Sequence, residues 1–126
     1  MARGVSHVEF IKAHQDGRFY LLETATRVGG ARIAETVEAA TGLNLWEEWA
    51  NLEFAGPEGP YELPLHREEY GALLMTLARQ EHPDLSAYTA PEVVYQAPEA
   101  HHAGLVLRSA EPGRLGMEER AVLAPS

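Results

Sequence analysis

The order of apolar and polar residues divides the chain into short runs of different period. Residues 4–13 (GVSHVEFIKA) and 18–25 (RFYLLETA) are rich in β-branched and aromatic side chains and predict two strands. Gln15-Asp16-Gly17 between them is a tight-turn signal, because glycine accepts the positive φ of a hairpin loop. From residue 31 to 41 the period lengthens to that of a helix, with Ile33, Val37 and Ala40 on one face and Glu35 and Glu38 outward. Gly42 stops that helix. Asn44 and Glu47 form a capping box for a second helix over residues 45–54. Its Leu45, Trp46, Trp49 and Leu52 read as core. Residues 55–60 are a loop by composition, and 61–65 a short extended piece. A third helix is expected over residues 66–81, with Tyr70, Leu73, Leu74, Leu77 and Ala78 as its buried stripe and Pro83 beyond its end.

Residues 92–96 and 101–108 predict a second hairpin, turned by 97–100. Ala103, Leu105 and Leu107 fall on one face of its second arm, and Gly104 marks a bulge or a close backbone contact. Residues 111–126, with Pro112, Gly113, Gly116 and Pro125, read as a loosely attached tail holding a short helix near residues 117–123. The expected fold class is α+β: one domain over residues 1–110, an antiparallel sheet with helices packed over it. The first hairpin is expected at its centre, with the second extending or flanking it.

The first hairpin carries one acid per arm, Glu9 and Glu23. A two-residue loop at Asp16-Gly17 would set Glu9 opposite Thr24 and send Glu23 to the other face. A three-residue loop with Gly17 left-handed pairs His14 with Arg18, and Glu9 then faces Glu23. The registers differ by one residue, which flips the side chains of one arm relative to the other. The second is favoured. Val8, Phe10, Tyr20 and Leu22 then share one face, and Ile11, Ala13, Phe19 and Leu21 the face of the acids. Both faces are apolar, so both are expected to be covered. Two carboxylates about 5 Å apart repel by roughly 3 kcal/mol at an effective dielectric of about 20. One is protonated, or a hard divalent cation bridges them; a solvent-facing pair, or an acid salt-bridged to an arginine, is the plainer reading.

Composition narrows the classes. The 126 residues suffice for one domain with a core. No apolar run spans a membrane, and MARGVSHVEF lacks the form of a signal peptide. There is no cysteine, which excludes disulfides and thiolate chemistry and fits a cytoplasmic setting. Nineteen acids against ten bases give a formal charge of −9, which disfavours nucleic acid and anionic lipid as partners. Adjacent strand residues His101 and His102 point to opposite faces and cannot easily share an ion. The remaining histidines show no metal-ligand spacing. Gly29-Gly30 ahead of a helix start is a weak signal for anion binding.

The segment from Glu9 through Glu23-Thr24-Ala25-Thr26-Arg27 to Gly29-Gly30 resembles the metal-binding hairpin of the ATP-grasp superfamily of ATP-dependent carboxylate ligases. Its pattern is an acid, a hairpin, then Glu-x-Asn-x-Arg leading through a glycine pair into a helix. The resemblance is clear over residues 8–49 and weaker to about 109. It implies an ATP-grasp C-terminal-lobe-like fold. It also implies Glu9 and Glu23 as ligands of Mg2+ (or Mn2+) on ATP, Arg27 as the catalytic phosphoryl contact, and Leu22 beside the adenine. The activity implied is conversion of a small carboxylate to an acyl phosphate for attack by an amine. Two departures matter: Ala25 replaces the Asn ligand, and Lys12 is the single lysine, whereas the family's other lobe supplies lysines and a glycine-rich loop. The chain is therefore expected to be one lobe or a fragment of a ligase, inactive alone, completed by a separate N-terminal lobe or by oligomerisation. The alternative is a non-catalytic binding module derived from such a lobe.

Overall fold

The computed structural model describes residues 3–116. The elements run β1 (His7–Lys12), β2 (Phe19–Ala25), α1 (Ile33–Thr41), α2 (Leu45–Ala55), β3 (Tyr70–Leu77), β4 (Val93–Glu99) and β5 (His102–Ser109). The fold is α+β and both sheets are antiparallel. The strands do not form one sheet around the first hairpin. Instead β1 and β2 form a two-stranded ribbon, and β3-β5-β4 form a separate three-stranded sheet.

The third predicted helix is a strand. Residues 66–81 are rich in good helix formers, and their apolar spacing fits a helical stripe, yet 70–77 pair with the whole of β5, from Tyr70 opposite Ser109 to Leu77 opposite His102. Tertiary demand decides this. Leu105, Val106 and Leu107 of β5 are all at most 2% exposed, so β5 needs a neighbour on each side and cover on both faces. Ala72 and Leu74 join Leu105 and Leu107 in one core with Leu85, Leu115, Tyr88, Val93 and Ala103. On the opposite face Gly71 runs under α1, where a Cβ would come within 2.9 Å of both Thr36 Cγ2 and the Thr36 carbonyl oxygen. Glycine there lets strand and helix approach. Gly104 is likewise a point of close contact, with space for a Cβ taken up by Ala97 and Met75.

A second, smaller core holds Val5, Val28 and Ala34, with Leu45 and Trp49 against them. It anchors the residues flanking the ribbon to both helices. Gly42, at φ 82°, closes α1 by donating from its N–H to the Glu38 carbonyl. The Asn44 side chain caps α2 by accepting from Trp46 N and Glu47 N. Trp46 stacks on Trp49 but stays 56% exposed, so the aromatic stripe of α2 is only partly core. The second hairpin turns at Ala100-His101, and Pro98 pairs within β4, an edge strand, where the missing N–H is tolerated. Leu115 packs into the larger core and Arg114 pairs with Glu92. The helix expected near 117–123 lies outside the described residues.

Candidate functional site

The ribbon's loop is one residue longer than the favoured reading. Ala13 N donates to Arg18 O, Gly17 N donates to Ala13 O, and Gly17 adopts φ 69°. Asp16 ties the loop, accepting from Arg18 N at 2.9 Å and from the Tyr20 hydroxyl at 2.7 Å. The Arg18 N–H, and after it the Tyr20 hydroxyl, hold the Asp16 carboxyl below its ordinary range.

With this loop Lys12 pairs with Phe19, Ile11 with Tyr20 and Phe10 with Leu21. Carried on unbroken, that register would place Glu9 across from Leu22. A bulge at Leu22 shifts it by one, so that Glu9 faces Glu23, Val8 faces Thr24 and His7 faces Ala25. The expected opposition of the acids holds, through loop and bulge together. The faces beyond the bulge change. Tyr20, not Leu21 or Phe19, shares the acid face with Ile11, while Phe10 and Leu21 share the other.

Neither face of the ribbon is covered as expected. Phe10, Ile11, Phe19, Leu21 and Leu22 are each more than half exposed. Leu22, the implied adenine neighbour, thus stands on an open surface. Lys12 lies with its ammonium 5.7 Å from the centre of the Phe19 ring, away from the acids.

Sequence reasoning missed His7. Alternate residues of a strand share a face, so His7 belongs with Glu9, and the spacing of two was the available signal. The His7 imidazole is 10% exposed, and its Nε2 lies 2.7 Å from Glu9 Oε1. Gly29 seats the ring: a Cβ at Gly29 would lie 3.0 Å from His7 Nδ1 and 2.6 Å from Ile33 Cγ2. One donor atom each from His7, Glu9 and Glu23 lie within 4.8 Å of one another. Arg27 leaves β2 beside them, with its guanidinium 3.8 Å from Glu23 Oε1 and donating to the Val28 carbonyl. The cluster is therefore half-open, with two acids, one imidazole and one guanidinium at the base of an exposed ribbon.

Gly29-Gly30 does not lead straight into α1. Ala31 and Arg32 both take left-handed backbone, φ 49° and 69°, and α1 begins at Ile33. Arg32 bonds Glu35 and Glu99 and lies against the Tyr95 ring. It thereby ties the start of α1 to the second sheet, and these contacts hold its guanidinium above its ordinary range.

Among the described residues no helix is long and apolar enough to cross a membrane. No protein-family model matches this chain, and no curated protein matches its sequence.

Proposed function

We propose that this chain is one lobe of an ATP-grasp-like carboxylate ligase. In this reading Glu9 and Glu23 hold the divalent cation, Mg2+ or Mn2+, that accompanies ATP. The single observation that carries the reading is the convergence of the two carboxylates, one from each arm, at the base of the ribbon. Carboxylate oxygens are the donors such cations select. A half-open cluster also leaves coordination positions for phosphate oxygens. Bound there, the cation would screen phosphate charge. Arg27, beside Glu23, would meet a phosphoryl or acyl-phosphate oxygen in this reading, and its planar fork suits that contact. Leu22 would contribute one apolar wall to an adenine site whose remaining walls come from elsewhere.

The exposed side chains of Phe10, Phe19, Leu21 and Leu22 fit the same reading. They offer an apolar surface for a second lobe, supplied by a separate chain or by another copy of this one. That lobe would also provide the cationic grip on phosphate that Lys12, set against Phe19, does not. Alone, this chain would bind cation and nucleotide weakly and turn over no substrate, because an open site neither excludes water nor clamps phosphates.

Calorimetric titration with Mg2+ and Mn2+, then with ATP in their presence, tests the proposal. Heat of binding in the parent that disappears in Glu9→Gln and Glu23→Gln is the expected result. Absence of cation binding in the parent would overturn it. Robust turnover by this chain alone would overturn the half-site view.

A further inference from the structure

We propose that His7 is the third protein ligand of this cation site, and that its nitrogen makes the site prefer Mn2+ to Mg2+. The inference rests on the cation reading above and assigns its donor set and selectivity.

Three features of the fold carry it. His7 and Glu9 occupy alternate positions of β1, so both side chains leave the same face, and Glu23 meets them from β2 only because of the bulge at Leu22. The residue directly across from His7 is Ala25, whose methyl leaves the imidazole room to lean over the acids. Behind the ring, Gly29 gives it a seat that any side chain would fill. The ring is nine-tenths covered, so little freedom remains to be lost on binding, and its Nε2 faces Glu9 Oε1 at 2.7 Å. Ligation takes the neutral ring in its Nδ1–H form, with any proton on Nε2 released to solvent and the bond to Glu9 given up to the ion.

The dimensions approach those of one ion. The three donor atoms span at most 4.8 Å. An octahedral ion with bonds of about 2.1 Å holds opposite ligands about 4.2 Å apart and adjacent ones about 3 Å apart. Glu23, 56% exposed, is the ligand with room to swing inward and narrow the difference. Three protein donors grouped on one side leave the other side for water or phosphate oxygens.

Donor chemistry then sets the preference. Carboxylates serve Mg2+ and Mn2+ alike, but imidazole nitrogen is a donor that first-row transition ions accept, Mn2+ the most weakly of them, and that Mg2+ takes more weakly still. Loss of the imidazole should therefore weaken Mn2+ by roughly tenfold or more, and Mg2+ by less than about threefold.

The test uses the full chain with Mn2+ as the probe. Free Mn2+ is counted by its electron paramagnetic resonance signal, and ligation is read by pulsed detection of 14N coupling. Mg2+ affinity is measured by competition. The parent is expected to show directly coordinated nitrogen that His7→Ala lacks, with Mn2+ binding weakened and the preference over Mg2+ collapsed. His7→Asn, which keeps a polar side chain with an oxygen donor, serves if the alanine variant does not fold. It should bind Mn2+ without the imidazole coupling. Placing the donor on the opposite arm, in H7A/A25N, should restore cation binding without the coupling and without the Mn2+ preference. Mn2+ binding that depends on Glu9 but shows no 14N coupling, and that is unchanged in His7→Ala, would overturn the role of His7 and leave the carboxylate site standing. Failure of the parent to bind either ion would overturn both.

Discussion

Replacing Glu9 with Gln separates a cation site from a mere meeting of acids. The donor oxygens of Glu9 and Glu23 lie within 4.8 Å. At that distance Coulomb's law gives about 3.5 kcal/mol of repulsion at a dielectric of about 20 and about 0.9 kcal/mol at about 80. The side chains are 42% and 56% exposed, so solvent screens the pair and the lower figure governs, about 1 kcal/mol. The glutamine keeps an oxygen to accept from His7. Glu9→Gln should therefore unfold a few degrees higher than the parent in EDTA, at roughly 4 °C per kcal/mol for a chain of this size. Saturation reverses the order. A cation at about one hundred times its dissociation constant stabilises the parent by about 2.7 kcal/mol and the variant far less. Thermal unfolding followed by circular dichroism at pH 8, in EDTA and then in Mn2+, reads both halves. A variant no more stable than the parent in EDTA would refute the electrostatic reasoning. Equal response of both proteins to Mn2+ would refute chelation by these acids.

Three further outcomes test the fold that holds the site. Gly71→Val forces a side chain against Thr36 of α1 and its carbonyl and should cost about 1–3 kcal/mol by overpacking, read as a fall in the urea midpoint; an unchanged midpoint would mean that β3 does not run under α1. Asn44→Ala removes the acceptor for Trp46 N and Glu47 N and should cost about 1 kcal/mol, read as a fall in the urea midpoint; an unchanged midpoint would mean that the cap adds nothing. The Arg114 guanidinium, hydrogen-bonded to Glu92, holds that carboxyl below its ordinary value of 4.5. A depressed carboxyl stabilises the fold above its unfolded value and loses that contribution as pH falls through its folded value. Arg114→Met should thus be less stable than the parent at pH 7, and the gap should narrow below about pH 4; urea midpoints that stay equally far apart from pH 7 to 3 would contradict the pairing.

Local chemistry made a good part of this legible in the sequence. Gly17 does take the left-handed position expected of it, and Gly42 ends α1 and Asn44 starts α2 as their residue types predict. The second hairpin appears within a few residues of its expected bounds. Such features depend on φ preferences and on hydrogen bonds to neighbours a few residues away, which any chain carries with it. The candidate site is a mixed case. Opposition of Glu9 and Glu23 was expected from a three-residue turn that the chain does not make; it arises from a longer loop compensated by a bulge, two offsets that cancel. His7 was readable only from alternation along one arm.

By itself, then, the amino-acid order determined where the chain turns to within a residue or two, where α1 ends, where α2 begins and ends, and that two acids share one ribbon. Tertiary structure alone decided that residues 70–77 extend as a strand, because β5, buried from Gly104 to Leu107, has to be paired on both sides, a demand that outweighs the helix preference of Leu, Met and Ala. It likewise decided that the ribbon stands apart from the larger sheet with its apolar side chains exposed, and that an imidazole seated on Gly29 joins the acids. Those outcomes hang on contacts between residues distant in the chain, whose energies no local pattern records.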